Sequence, residues 1–380
     1  MNRVETLEIK KQLTPDRCTI DRICGCYVNY EKKKLFTDSR AFPLLPDEEM
    51  FKYLDVFRHA LSGRNGKNLI DLAFPYEQEQ KGGTQHFLMR LRESKLEDEA
   101  LLDSFYDRVI EAFEFPENYY IILVHAVYDV PGITSDRIRM EDASDNVYDH
   151  ILCAICPVAL SRAGLSYNEK KNLIEDRFRD WVVDMPVKGF LFPSFQDRTS
   201  NVHQMLYYTK KAEDIQPEFI EAVFGAQEVM SAPEQKEGFQ EVIRRTLGEN
   251  GKFETVQNLH ENLQRKMEEH TDPEEPLTLE KEDVKKLLRD SGVSPARMKD
   301  FELHYAESFH REDYPLLASN IAETTRFEMK SPDVRVIVNP ERADLVETRM
   351  IDGRPCLVIR LDDRIEVNGI QVKTMTGIKE

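Results

Sequence analysis

Residues 119–132 read YYIILVHAVYDVPG, an almost unbroken apolar run closed by Pro131-Gly132. A strand wet on one face alternates polar and apolar positions. A run without that alternation predicts a strand buried on both faces, and Pro-Gly ends it. Residues 150–160, HILCAICPVAL, predict a second buried strand. The polar residues between them, 133–148, read as a loop. Working outward, residues 17–30, RCTIDRICGCYVNY, are rich in β-branched and aromatic types and predict another strand. The charged residues 31–34 read as a turn into a short second strand, and 202–208, VHQMLYY, as one more.

Helices are expected among these strands. Residues 4–13 predict a short one, stopped by Pro15. The acidic Asp47-Glu48-Glu49 opens another, with Met50, Leu54, Phe57 and Leu61 at helical spacing and Gly63 as its cap. Residues 97–113 predict a third on Leu102, Phe105, Val109 and Phe113. The expected fold class is α+β, with a mixed sheet-and-helix domain over 1–212.

Beyond it the chain changes character. Residues 213–330 carry 15 Lys/Arg against 27 Asp/Glu and predict a helical acidic segment. Ser231-Ala232-Pro233-Glu234 opens one helix. Residues 252–270 form another on Phe253, Val256, Leu259, Leu263 and Met267. Residues 271–276 read as a linker, 280–290 as a helix, and Ser294-Pro295 as the start of the next. Residues 331–380 predict a small C-terminal β-meander that packs on the rest. Asp352-Gly353 and Asn368-Gly369 are its turns.

Composition bounds the function. The chain has 380 residues, 41% hydrophobic and 32% charged, which excludes a wholly disordered protein and suits two or three domains. No apolar run approaches the ~18–20 residues of a membrane span. The opening MNRVETLEIKKQL is charged rather than signal-like, so a cytoplasmic protein without a membrane partner is expected. A net charge of −18 argues against broad non-specific binding to nucleic acid, while leaving room for a local basic patch.

Six cysteines in this length imply reduced thiols. Cys24 and Cys26, with Cys153 and Cys156, form two close pairs that could converge on zinc, which takes four thiolates in a tetrahedron. The alternative is four buried thiols in sheet strands. In GFLFPSFQDR, residues 189–198, followed by His203, the residues Asp197, Arg198 and His203 lie near Phe192 and Phe195, read as exposed. A His with a carboxylate could do acid–base work and an Arg could bind phosphate. The alternative is a structural turn. No Ser or Cys nucleophile has the partners it needs.

Gly63-Arg64-Asn65-Gly66-Lys67-Asn68 is too short between its glycines for a phosphate loop and follows a helix, so a turn is expected and no cofactor-binding motif is assigned. His125 reads as a satisfied core histidine. Asp180 and Asp184 flank Trp181 on an expected helix and read as its solvated side. Residues 280–305 have a helix–turn–helix look, but only Arg297 and Lys299 could reach bases, so an αα hairpin is favoured.

The strings RCTIDRICGCYV, ICPVALSRAGL, WVVDMP, GFLFPSFQDR, LLASNIA and VNPERADLVETRMIDGRPCLVI together resemble an uncharacterised domain-of-unknown-function family of Firmicutes. The resemblance covers almost the whole chain and implies a bacterial cytoplasmic protein. It brings no activity and no catalytic residues. The order of parts is also similar to the bacterial 37-kilodalton nucleoid-associated proteins. In MLYYTKKAEDIQPEFIEAVFG, residues Tyr207, Tyr208, Phe219 and Gly225 fall where that family has an aromatic pair and a Phe-Leu-Gly-like turn.

The function expected from these features is a non-enzymatic binding protein associated with the nucleoid or with nucleic acid. The alternatives are a thiol- or metal-dependent enzyme at the cysteine strands, or an acidic homo-oligomeric scaffold.

Overall fold

A computed structural model describes residues 1–133, 139–248, 251–270, 275–361, 365–367 and 369–372, with the backbone alone for 133, 139–145, 367 and 372. The chain divides into two compact units, Met1–Pro233 and Glu234–Glu380.

The first unit is built on one antiparallel sheet. Its strands are β1 (Ile20–Val28), β2 (Lys34–Ala41), β3 (Leu69–Ala73), β4 (Asn118–Ile133), β5 (Arg139–Leu160), β6 (Trp181–Val183), β7 (Lys188–Phe192) and β8 (Gln204–Thr209). They lie in the order β2-β1-β4-β5-β7-β8-β3, and β6 pairs with the end of β5. Side chains alternate across the sheet into two cores. Tyr119, Ile121 and Leu123 of β4 enter one, while Tyr120, Ile122 and Val124 enter the other. That double burial is why the run lacks polar alternation.

Helices cover both faces. On one lie α1 (Arg3–Gln12) and α2 (Asp47–Ala60), contributing Ile9, Leu54 and Phe57. On the other lie α3 (Thr84–Glu93), α4 (Glu99–Ala112) and α5 (Pro217–Phe224), contributing Leu88, Leu91, Phe105, Val109 and Phe219. Because Phe219, Ile220, Val223 and Phe224 of α5 are buried in this core, the first unit runs past residue 212 to Pro233.

Two expectations in this unit change. Of the loop expected at 133–148, residues 134–138 lie outside the described residues, but 139–148 belong to β5. Val130 pairs with Asn146 and Ile133 with Arg139, so ladder pairing continues through polar residues. The segment around Trp181 is strand rather than helix, because Val158–Leu160 of β5 extend beyond β7 and need a partner.

In the second unit, α6 (Ala232–Leu247), α7 (Phe253–Glu269), α8 (Lys281–Asp290) and α9 (Phe301–Phe309) bury Phe239, Val242, Leu259, Leu263, Val284, Leu288, Phe301 and Tyr305. The α8–α9 connection holds turns over 295–300, so Ser294-Pro295 does not open a helix and Arg297 and Lys299 are not on one. A DNA-reading helix–turn–helix needs a 3–4-residue turn. The last strands pair two by two, as Phe327–Lys330 with Arg335–Val338, Val346–Ile351 with Arg354–Ile359, and Ile365–Val367 with Ile370–Val372. The α+β class holds, with three hairpins in place of one meander. Asp352 (φ 49°) and Gly353 (φ 74°) form the expected two-residue turn. Of the expected linker, residues 271–274, and of the expected meander, residues 362–364, 368 and 373–380, lie outside the described residues.

Candidate functional site

The sheet register separates the four cysteines. Cys24 of β1 sits opposite Leu123 of β4, and Leu123 sits opposite Cys153 of β5. One whole strand therefore lies between Cys24 and Cys153, about 10 Å at the usual strand spacing. Cys156 is three residues from Cys153 and points to the other face, opposite Tyr120. Zinc–sulfur bonds are ~2.3 Å, so these positions do not form a four-thiolate tetrahedron. All four thiols are buried, and burial raises their pKa values, that of Cys26 to about 12. Among the described residues, no group of three or more His, Cys, Asp or Glu is arranged to hold a metal.

Asp197, Arg198 and His203 are also not gathered into one centre. Asp197 and Arg198, with φ of 49° and 58°, are the turn of a hairpin pairing Gln196 with Thr199. This is the left-handed geometry that tight hairpins need. The Asp197 N–H donates to Glu5 (2.7 Å), and the Arg198 guanidinium donates to both oxygens of Glu8 (2.8 and 2.9 Å) and to the Pro131 carbonyl (2.6 Å). They pin α1 to the sheet. His203 is exposed and pairs with Glu79 (2.7 Å). Phe192 and Phe195 are fully buried, contrary to their expected exposure.

His125 is buried between two carboxylates, with Nδ1 2.8 Å from Asp21 and Nε2 3.0 Å from Asp149. Burial pulls its pKa down, but the hydrogen bonds it makes to Asp149 and Asp21 outweigh that and hold the imidazole above its ordinary value. His150 is buried without a carboxylate bond, stacks on Tyr148 at 4.3 Å and is depressed by burial to about 4. The two histidines are thus shifted in opposite directions.

The feature that sequence reading missed is a convergence of cations. Lys10, in the last turn of α1, donates to Ser62 Oγ (2.6 Å), just past α2. Ser62 in turn donates to the carbonyl of Arg58 (2.7 Å). His59 stands edge-on to Tyr208 of β8, with ring centres 6.3 Å apart. The Gly63–Asn68 segment turns on Gly63 and Gly66, both at positive φ, and Asn68 donates to the carbonyls of Thr209 and Lys210 (3.1 Å each). Lys10, Arg58 and Lys210 come from three distant segments that these contacts connect, Arg64 and Lys67 lie on the joining turn, and Arg58 also pairs with Asp55 (3.8 Å).

The cations feel one another. Burial and then Arg58 lower the pKa of Lys10, and burial, Lys210 and Lys10 lower that of His59. The turn itself is no phosphate cradle, since the N–H groups of Gly66, Lys67 and Asn68 already donate to Leu69 and Arg64 carbonyls. No periodic signal marks the patch, because its members are single cations spread through an acidic chain.

The architecture defines an α+β protein of two compact units, with cationic residues from distant segments joined by tertiary contacts in the first. The chain belongs to the family described as domain of unknown function (DUF4317), which matches residues 1–370, as the sequence strings led us to expect. No curated protein and no solved structure matches it. Among the described residues, no helix is long and apolar enough to cross a membrane.

Proposed function

We propose that this is a nucleic-acid-associated binding protein that takes the phosphate backbone on the patch of Lys10, Arg58, Arg64, Lys67 and Lys210. The observation that supports the reading is that the segments of Lys10, Arg58 and Lys210 are joined by hydrogen bonds, with the charge of Arg58 acting on Lys10 and those of Lys210 and Lys10 on His59, in a chain of net charge −18. A local excess of positive charge attracts a polyanion even when the net charge of the chain is negative. Phosphate contact supplies affinity without sequence information, so no reading helix is required.

The test is fluorescence anisotropy of labelled duplex and single-stranded DNA at 50 and 200 mM salt. Five phosphate contacts predict a loss of a few hundred-fold between the two salts on duplex DNA. The triple variant K10E/R58E/K210E is expected to abolish binding at low salt while melting normally. Absence of binding at 50 mM, salt-insensitive binding, or unchanged binding by the triple variant would sink the reading.

A further inference from the structure

A second site lies on the first unit, on the face of the sheet that carries α1 and α2. Tyr27 and Phe36 of β1 and β2, Tyr53 of α2, Tyr120 of β4 and Trp181 of β6 line an open cavity of about 510 Å³. Val158, Val183, Asp38 and Arg40 complete its wall. That volume is in the range of small-molecule sites, and so is the lining, mostly apolar with a few fixed polar groups.

The polar groups are locked together. Tyr120 donates its hydroxyl to Asp38 Oδ1 (3.0 Å), and Arg40 Nε donates to Asp38 Oδ2 (2.9 Å). The other end of Arg40 donates to Glu49 (2.7 Å) and to the Tyr53 hydroxyl (3.1 Å). The Tyr27 hydroxyl accepts from Asn118 (2.9 Å). Three of the rings are therefore held at their polar ends before any ligand arrives, which limits the ordering cost of binding.

Charge complementarity selects the occupant. Asp38 and Arg40 of the wall pair with each other and Arg40 also pairs with Glu49 behind it, so the bonded cluster of two carboxylates and one guanidinium carries one formal negative charge in excess. Five aromatic rings line the cavity, and the face of such a ring carries negative quadrupole potential. Both oxygens of Asp38 already accept a hydrogen bond, so the wall offers charge more than directed acceptors. That combination favours a cation that donates no hydrogen bonds of its own and disfavours a carboxylate or phosphate. We infer that the groove of Tyr27, Phe36, Tyr53, Tyr120 and Trp181 beside Asp38 binds a small organic ammonium ion with a methylated head group.

Trp181 is the single tryptophan of the chain and is 57% exposed, so its emission reports the site directly. The experiment titrates the full chain with choline and, in parallel, with 3,3-dimethylbutan-1-ol, the uncharged carbon isostere. Saturable change in Trp181 emission with choline, and at least tenfold weaker binding of the isostere, is the expected result. The variant D38N keeps the tryptophan and is expected to weaken choline by about tenfold, because it removes the excess charge. Calorimetry on W181A, an edge-strand change, is expected to show the same loss by a second readout. Equal binding of the isostere, or no binding of choline by a chain that melts normally, overturns the assignment. So does sedimentation showing that a second copy covers Trp181 at the concentration used.

Discussion

The hydroxyl of Tyr120 occupies the space that a side chain at position 25 would need. A Cβ on Gly25 would stand 1.9 Å from that oxygen and 2.5 Å from Oδ1 of Asp38. Gly25 pairs with Asp38 across β1 and β2, so the missing side chain is what lets Tyr120 reach the carboxylate. The substitution G25A is expected to cost about 1–3 kcal/mol by overpacking. In the double variant G25A/Y120A the two costs are expected to be less than additive, since the clash is gone. Urea midpoints of the three variants check this.

The buried histidines give stability opposite pH slopes. His125 has a raised pKa, so its contribution is complete below the unfolded value of about 6.5 and is lost as pH rises through the folded one. His150 is depressed to about 4, so its contribution is complete above about 6.5 and is lost as pH falls towards 4. The loss attached to His150 reaches about 3 kcal/mol. Unfolding midpoints between pH 4 and 8.5 are expected to peak near 6.5. H125Q should flatten the alkaline limb and H150Q the acid limb.

Arg198 is expected to matter for folding and His203 hardly at all. Glu8 is almost fully buried, with 5% of its side chain exposed, and Arg198 is its bidentate partner. Removing one member of a buried pair leaves charge behind, so R198A should cost about 3 kcal/mol. H203A breaks only an exposed contact with Glu79 and should stay within about 1 kcal/mol. Equal and small losses in both thermal melts would contradict the structural role given to the turn.

Thiol labelling separates the cysteines by place. Cys18 and Cys356 are partly exposed, whereas Cys24, Cys26, Cys153 and Cys156 are buried. The native chain is expected to release two reactive thiols to a disulfide reagent, Cys18 the slower because burial raises its pKa, and all six after denaturation.

Polyanion binding should also appear as stabilisation. A ligand that binds only the folded chain raises the melting temperature by mass action. A DNA oligonucleotide at about 100 times its Kd should add about 2.7 kcal/mol, and K210E should remove most of that gain. Unchanged melting of the parent chain with saturating DNA would argue against a folded-state site.

Local pattern determined much of the scaffold. The apolar runs around 121–124 and 151–156 reported strands buried on both faces, because a residue pair at alternate positions can be apolar only if both sides are dry. Asp352-Gly353 reported its hairpin because a two-residue turn needs positive φ at both positions. The helix Thr84–Glu93 escaped notice because only Gln85, Leu88 and Leu91 are buried, too thin a stripe to stand out from its polar neighbours. What only the tertiary structure decided was which side chains meet. Strand register placed Cys24 and Cys153 a strand apart, and together with the packing of α2 it brought positions 27, 36, 53, 120 and 181 around one cavity. Packing of α1 and α2 joined Lys10 to Ser62 and through it to the Arg58 carbonyl, and the turn after α2 bonded to the Lys210 carbonyl. Such contacts depend on non-local pairing, whose energy is spread over the whole core and leaves no periodic trace at the residues it brings together.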